Sequence, residues 1–249
     1  MTEDVLWALS GEGVATLTLN RPAARNALNT GLAEALLGGI RRAAVEAVKL
    51  VVIRADGPVF CAGADLKERK GMTEDQVRAR RLKGFAAYDA IERLPMPSIA
   101  VVEGPAIGSG VEIAAACDFV VATPQASFRT PEALWGTVGA TQRLSRVLGK
   151  RLAKDMMFTG RTLTAEEARE GGLVARVVAA EALEATLTEI AATIAAAPPA
   201  AMRLAKRCVD EGLERDPRGA LATELMAIEE SLAEGEWRKT MAGFGTLGA

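Results

Sequence analysis

Three short, wholly apolar runs, Leu50–Ile53, Ile99–Val102 and Phe119–Ala122, most narrow what this chain can fold into. Each reads as a strand of the fully buried type. Between and around them the pattern changes to the helical period. Leu32, Leu36, Leu37 and Ile40 recur at helical spacing after Thr30, which reads as an N-cap. Thr73 and Gln76 have capping-box spacing and open a helix to about Arg93, where Pro95 and Pro97 stop it. Val5–Leu9 and Val14–Leu19 flank Ser10-Gly11-Glu12-Gly13 as a hairpin. A glycine-rich turn at Gly104–Gly110 leads into an apolar helix at Val111–Cys117. Thr164 and Glu167 form a second capping box, with Gly171-Gly172 as the stop. Leu183, Leu187, Ile190 and Ile194 mark a helix that Pro198-Pro199 ends, and the chain then reads as helical up to a glycine-rich tail at Gly243–Gly248. The expectation is an α/β chain with a helical C-terminal part. Periodicity leaves open whether the sheet is doubly wound or a coiled strand–helix superhelix.

Composition narrows the chemistry. The 249 residues suit one sizeable domain, and 49% hydrophobic with 25% charged residues permits a packed core. The net charge of -2, without a Lys/Arg block, gives no footprint for nucleic acid. The start Met1-Thr2-Glu3-Asp4 lacks the pattern of a signal peptide, and no apolar run reaches the roughly 18 residues of a membrane span. Cys61, Cys117 and Cys208 are scattered and odd in number, as for reduced thiols. A cytoplasmic protein without membrane or nucleic-acid partners is expected. The chain has no histidine, which removes His-dependent triads and His-ligated zinc. Proton transfer near neutral pH then falls to carboxylates with raised pKa, or to lysine or cysteine with lowered pKa, with Tyr88 a weaker candidate.

Two acids stand out. Glu112 lies in Gly108-Ser109-Gly110-Val111-Glu112-Ile113-Ala114-Ala115-Ala116-Cys117, where a glycine-rich turn feeds a helix. Unpaired N–H groups at such a start favour a phosphate or a developing oxyanion. Position 113 is Ile113, so the third glycine of a dinucleotide fingerprint is missing and a nicotinamide enzyme is poorly supported. Glu112 has only apolar neighbours, and desolvation there raises a carboxyl pKa. The plainer alternative is a glutamate bonded to N–H groups at the helix start. Glu132 sits in an apolar frame after Pro131, an arrangement also common in ordinary first helical turns. Ala62-Gly63-Ala64-Asp65 is a small-residue turn that can present an N–H to a ligand, or simply let Asp65 cap the next segment.

Taken together these segments resemble the crotonase (enoyl-CoA hydratase/isomerase) family. The matching stretches are Leu19-Asn20-Arg21-Pro22 with Asn26-Ala27-Leu28, then Phe60 to Glu68, Pro97 to Asp118, and Pro131-Glu132 followed by Thr141-Gln142-Arg143-Leu144. They occur in family order over about the first two-thirds of the chain. The resemblance implies a spiral of ββα units over residues 1–197 that holds the active site, and a helical oligomerisation region at 198–249, usually giving a trimer or a dimer of trimers. It implies an oxyanion hole from the N–H groups of Ala64 and Ser109. The family's hydratases carry one glutamate three residues after the second of these and another twenty later, and Glu112 and Glu132 match both positions. The implied activity is hydration of a 2-trans-enoyl-CoA to a 3-hydroxyacyl-CoA in fatty-acid or related acyl-CoA degradation. The substrate is an acyl-CoA thioester, with no metal and no further cofactor. The implied CoA contacts include Asn26, Ala62, Gly63, Asp65, Leu66, Lys67 and Gly108. Alternatives left open are a double-bond isomerase, a branched-acyl-CoA hydratase, and a non-catalytic acyl-CoA-binding paralogue. The chain departs from the family in a shorter loop, Gly136-Thr137-Val138-Gly139-Ala140. It also lacks the usual Lys-Arg-Lys-Pro run, for which Arg238, Lys239 and Phe244 are poor substitutes.

Overall fold

A computed structural model describes residues 3–242 of the chain. The expected tail at Gly243–Gly248, with Phe244, lies outside the described residues, as do Met1 and Thr2. In chain order the elements are β1 (Val5–Leu9), β2 (Val14–Leu19), α1 (Thr30–Val45), β3 (Leu50–Ala55), α2 (Leu66–Arg69) and α3 (Glu74–Glu92). Next come β4 (Ser98–Val102), β5 (Pro105–Ile107), α4 (Ser109–Ala116), β6 (Phe119–Ala122) and β7 (Ser127–Arg129). A 3-10 turn at Glu132–Trp135 leads to α5 (Thr141–Thr159), β8 (Thr162–Thr164), α6 (Ala165–Glu170) and β9 (Arg176–Val177). The chain finishes with α7 (Leu183–Ala196), α8 (Pro199–Gly212), α9 (Pro217–Glu234) and α10 (Glu236–Ala242).

The large sheet has the order β1-β2-β3-β4-β6-β9, and the small one β5-β7-β8. Only the hairpin β1–β2 is antiparallel in the large sheet. Isolated parallel bridges Leu28↔Ala64 and Cys61↔Ala106 prolong the small wall. Each pass of the chain thus adds to the large sheet and then to the small wall: β3 then Cys61, β4 then β5, β6 then β7. This second wall decides for the coiled superhelix over the doubly wound sheet.

The apolar runs are explained by burial on both faces of the large sheet. Val51 and Ile53 face the main core with Leu17, Leu36 and Ile91, while Leu50 and Val52 join Ile99, Val101 and Val121 against Leu183 and Ile190 of α7. Parallel strands covered on both sides read as continuous rather than alternating hydrophobics. Full burial of each such side chain contributes about 1.5–3 kcal/mol relative to exposure. Among the described residues no helix is long and apolar enough to cross a membrane.

Both capping boxes form as their spacing predicts. The start of α1 differs: Asn29, in extended conformation, is the N-cap, its side chain accepting from the Leu32 N–H at 2.8 Å, and Thr30 is the first helical residue. Helix α4 opens at Ser109, ahead of the expected Val111, because Gly108 with φ 52° ends the preceding strand. Pro198-Pro199 ends α7, and Pro199 also opens α8, where a missing N–H costs no helical bond.

Candidate active site

The small wall carries the site. Strand β5 delivers the chain to Gly108, whose φ of 52° and ψ of -107° suit glycine. A Cβ at Gly108 would lie 2.4 Å from Oε1 of Glu132, and one at Gly110 would lie 2.5 Å from the Cys61 carbonyl oxygen. Two glycines therefore let α4 start flush against the Cys61–Ala64 turn with Glu132 folded over it. Gly63 has φ +89°, and the bridge to Leu28 uses the Gly63 carbonyl and the Asp65 N–H, which straddle Ala64. The N–H of Ala64 and that of Ser109, in the first turn of α4, have no acceptor among the described residues. Both residues line one cavity together with Glu112 and Glu132. The four residues expected at the reacting centre are thus brought together.

The two glutamates differ in company. Glu112 is buried, yet both its oxygens are bonded: Oε1 accepts from the Ala140 N–H at 2.6 Å, Oε2 from the Arg143 guanidinium at 3.0 Å. Its neighbours on α4 are apolar, as the sequence suggests, but its polar partners come from the start of α5. Arg143 also grips Glu92 with two bonds of 2.7 Å and lies over the Tyr88 ring, 5.4 Å from its centroid. In the sequence Arg143 stands out only as part of a matching stretch; an arginine on the helix that follows the loop is the one signal there for a partner to a buried acid. Glu132 occupies the start of the 3-10 turn, and its buried Oε2 has no hydrogen-bond partner. Burial, then the nearby Glu112 charge, push its carboxyl pKa above the ordinary value against the opposing pull of its own N–H and of Arg81.

The loop 136–140 borders the site. Thr137 and Gly139 line the cavity, and a Cβ on Gly139 would sit 3.1 Å from Cγ of Glu132. Ala140 holds a left-handed conformation, φ 56°, which turns its N–H onto Glu112. Burial pushes the Cys61 thiol up to about 11, so it is no nucleophile at neutral pH. Tyr88 is buried, its hydroxyl against Ser109, and burial drives its pKa far up.

The expected CoA contacts divide. Leu66 and Lys67 are exposed at the start of α2, and Ala62 is half-buried with its N–H given to the Arg25 carbonyl. Gly63 and Gly108 shape the turns described above. Asp65 caps α2 through the Lys67 and Glu68 N–H groups and pairs with Arg21 at 3.2 Å. Burial would raise the Asp65 carboxyl, but the Glu68 N–H and Arg21 outweigh it and hold it below the usual range. Asn26 needs correcting as a ligand contact. It is wholly buried with φ 52°, and its side chain bonds the Asp56 and Val59 carbonyls and the Arg21 N–H. A ligand has no access to it, and it acts as a strut between two loops.

A spiral of this kind, with two free main-chain donors and two carboxyls around one cavity, defines the crotonase fold class. The family model for enoyl-CoA hydratase/isomerase matches residues 10–246. YngF of Bacillus subtilis, which bears an enoyl-CoA hydratase/isomerase name, is 39% identical over 98% of this chain and 96% of its own length. The short-chain-enoyl-CoA hydratase of Clostridium acetobutylicum is 37% identical over 95% of this chain and 93% of its own. The crystal structure of an enoyl-CoA hydratase from Bacillus anthracis superposes with a TM-score of 0.93 at 35% identity, covering 97% of this chain and 95% of that one. The chain belongs to the enoyl-CoA hydratase/isomerase family, whose members act on acyl-CoA thioesters.

Proposed function

We propose that the chain is an enoyl-CoA hydratase, adding water syn to a 2-trans-enoyl-CoA to give the 3-hydroxyacyl-CoA during fatty-acid or related acyl-CoA degradation. One observation carries the reading: Glu112 and Glu132 share a cavity with the free N–H groups of Ala64 and Ser109. Enolate charge develops on the thioester oxygen when water attacks the β-carbon. Two fixed N–H donors stabilise that charge where it forms, and losing one such donor typically costs about 3–4 kcal/mol. Glu112, bonded through both oxygens to donors, is the carboxylate that orients and deprotonates water. Glu132, desolvated and with one oxygen unpartnered, holds the proton that goes to the α-carbon. Two carboxyls around one substrate then share a single proton, and their environments assign it. Coenzyme A enters only as part of the substrate, with Lys67 on its phosphates. The family's trimer or dimer of trimers is supported by apolar side chains left exposed on α9, among them Leu221, Leu225 and Met226.

The test is loss of the conjugated thioester absorbance of crotonyl-CoA, with product mass increased by one water. Turnover is expected for wild type. A 3-enoyl-CoA rearranged without uptake of water, with crotonyl-CoA untouched, would select the isomerase instead. Tight binding of CoA esters with no chemistry on any of several enoyl chain lengths would select a non-catalytic paralogue.

A further inference from the structure

Three arginines line the cavity from α2 and α3, and they are not equivalent: Arg69 is exposed, Arg80 buried and Arg81 half-buried. Arg80 is buried and committed: Nε meets Glu68 at 2.8 Å and its other arm holds the Leu28 carbonyl. Arg81, the next residue, is half-buried and lines both this cavity and a contiguous one of about 340 Å³. Its bonds go only to neutral oxygens of the short loop, Thr137 Oγ1 at 3.0 Å and the Val138 carbonyl. Among the described residues it has no carboxylate partner, although its charge is felt at Glu132. The other acids nearby are already matched, Glu112 with Arg143 and Glu68 with Arg80. A half-desolvated guanidinium that keeps only neutral partners has unused capacity for an anion, and its planar fork fits a carboxylate. Arg81 lies on the side of the glutamates and the loop, whereas Lys67 projects from α2.

We propose that Arg81 receives an anionic acyl terminus, so that the substrate class is a 2-enoyl-CoA ending in a carboxylate. The proposal rests on the enoyl-CoA reading of the cavity and specifies it. The discriminating pair is glutaconyl-CoA and 2-pentenoyl-CoA, which have the same chain length with and without the terminal carboxylate. Wild type is expected to favour the first in kcat/KM by roughly tenfold or more, the scale of one site-matched polar contact. Arg81→Gln abolishes that preference, and Arg81→Lys, which keeps the charge but not the fork, retains part of it. Equal rates or a preference for 2-pentenoyl-CoA in wild type overturns the proposal. So does an equal loss on both esters in Arg81→Gln, which would make Arg81 a fastener of the loop or a contact to coenzyme A. If neither ester is hydrated, crotonyl-CoA turnover decides the hydratase reading separately, and calorimetry with glutaryl-CoA and pentanoyl-CoA decides this one. Tighter binding of glutaryl-CoA that disappears in Arg81→Gln upholds an acidic acyl site, and equal binding of the two refutes it.

Discussion

Glu112 and Glu132 present the same functional group to one cavity from opposite kinds of structure. Glu112 stands on a regular helix, with both oxygens bonded and Arg143 braced in turn by Glu92. Glu132 stands on a single 3-10 turn, with one oxygen unpartnered and two glycines making room for it. The first environment fixes its carboxyl between two donors, and the second raises its carboxyl pKa by burial. On the proposed reading, this difference is how a chain without histidine would hold a base and an acid side by side: the residue type is common to both, and the division of labour would lie in the surroundings.

Removing either carboxyl is the bluntest way to break the comparison. Glu112→Gln and Glu132→Gln are each expected to lower kcat on crotonyl-CoA by on the order of 10²–10⁴-fold, the usual scale for a positioned acid or base. Binding of a saturated acyl-CoA is expected to change little, since amide and carboxyl have nearly the same shape. Calorimetry beside steady-state kinetics measures both. Unchanged turnover in both variants would remove the assigned roles altogether.

A methyl group at Gly108 attacks only the Glu132 side. Gly108→Ala must place Cβ where Glu132 Oε1 now lies, at a positive φ that disfavours any side chain. Such backbone strain costs about 1–3 kcal/mol. Displacing Glu132 by an ångström is expected to cut kcat by up to about 10²-fold. A lowered melting temperature with kcat intact would mean that the position of Glu132 is not what Gly108 protects.

Arg143→Met tests the other side. It leaves Glu112 buried with one donor, Ala140, and frees Glu92. A roughly tenfold loss is expected in kcat with KM little changed, a split that general destabilisation of the fold would not produce. Arg143→Lys is expected to restore part of the rate. It cannot hold Glu92 and Glu112 with separate edges of one planar group.

How much of this was open to sequence reading follows from the same contrast. The strands β3, β4 and β6 and the two capping boxes were legible because local pattern and burial agree there. Strands β5, β7, β8 and β9 were not, because two or three residues carry no period. Helix α5 is interrupted at Gly149, φ 70°, which breaks its pattern. The two glutamates could be paired by the family resemblance, but not their partners. Arg143 and Ala140 reach Glu112 from 31 and 28 residues away, and Arg81 reaches the loop from 56. Such contacts depend on how turns of the spiral stack, which no local signal states. Asn26 shows the converse, a polar residue of a matching stretch whose work is internal bracing.

The finest test asks whether Glu132 is held neutral by burial. Its folded pKa lies above the unfolded value near 4.5, mainly through desolvation. Well below 4.5 the carboxyl is protonated in both states and contributes no pH dependence. As pH rises past that value the unfolded chain releases its proton first, so the folded state loses ground until Glu132 itself ionises. Glu132→Gln removes this loss. Its melting temperature relative to wild type is therefore expected to climb as pH rises from about 4.5 and to level off above the folded pKa. A difference that stays flat across this window would mean that burial does not raise the Glu132 carboxyl, and that its protonation must be set by the bound substrate instead.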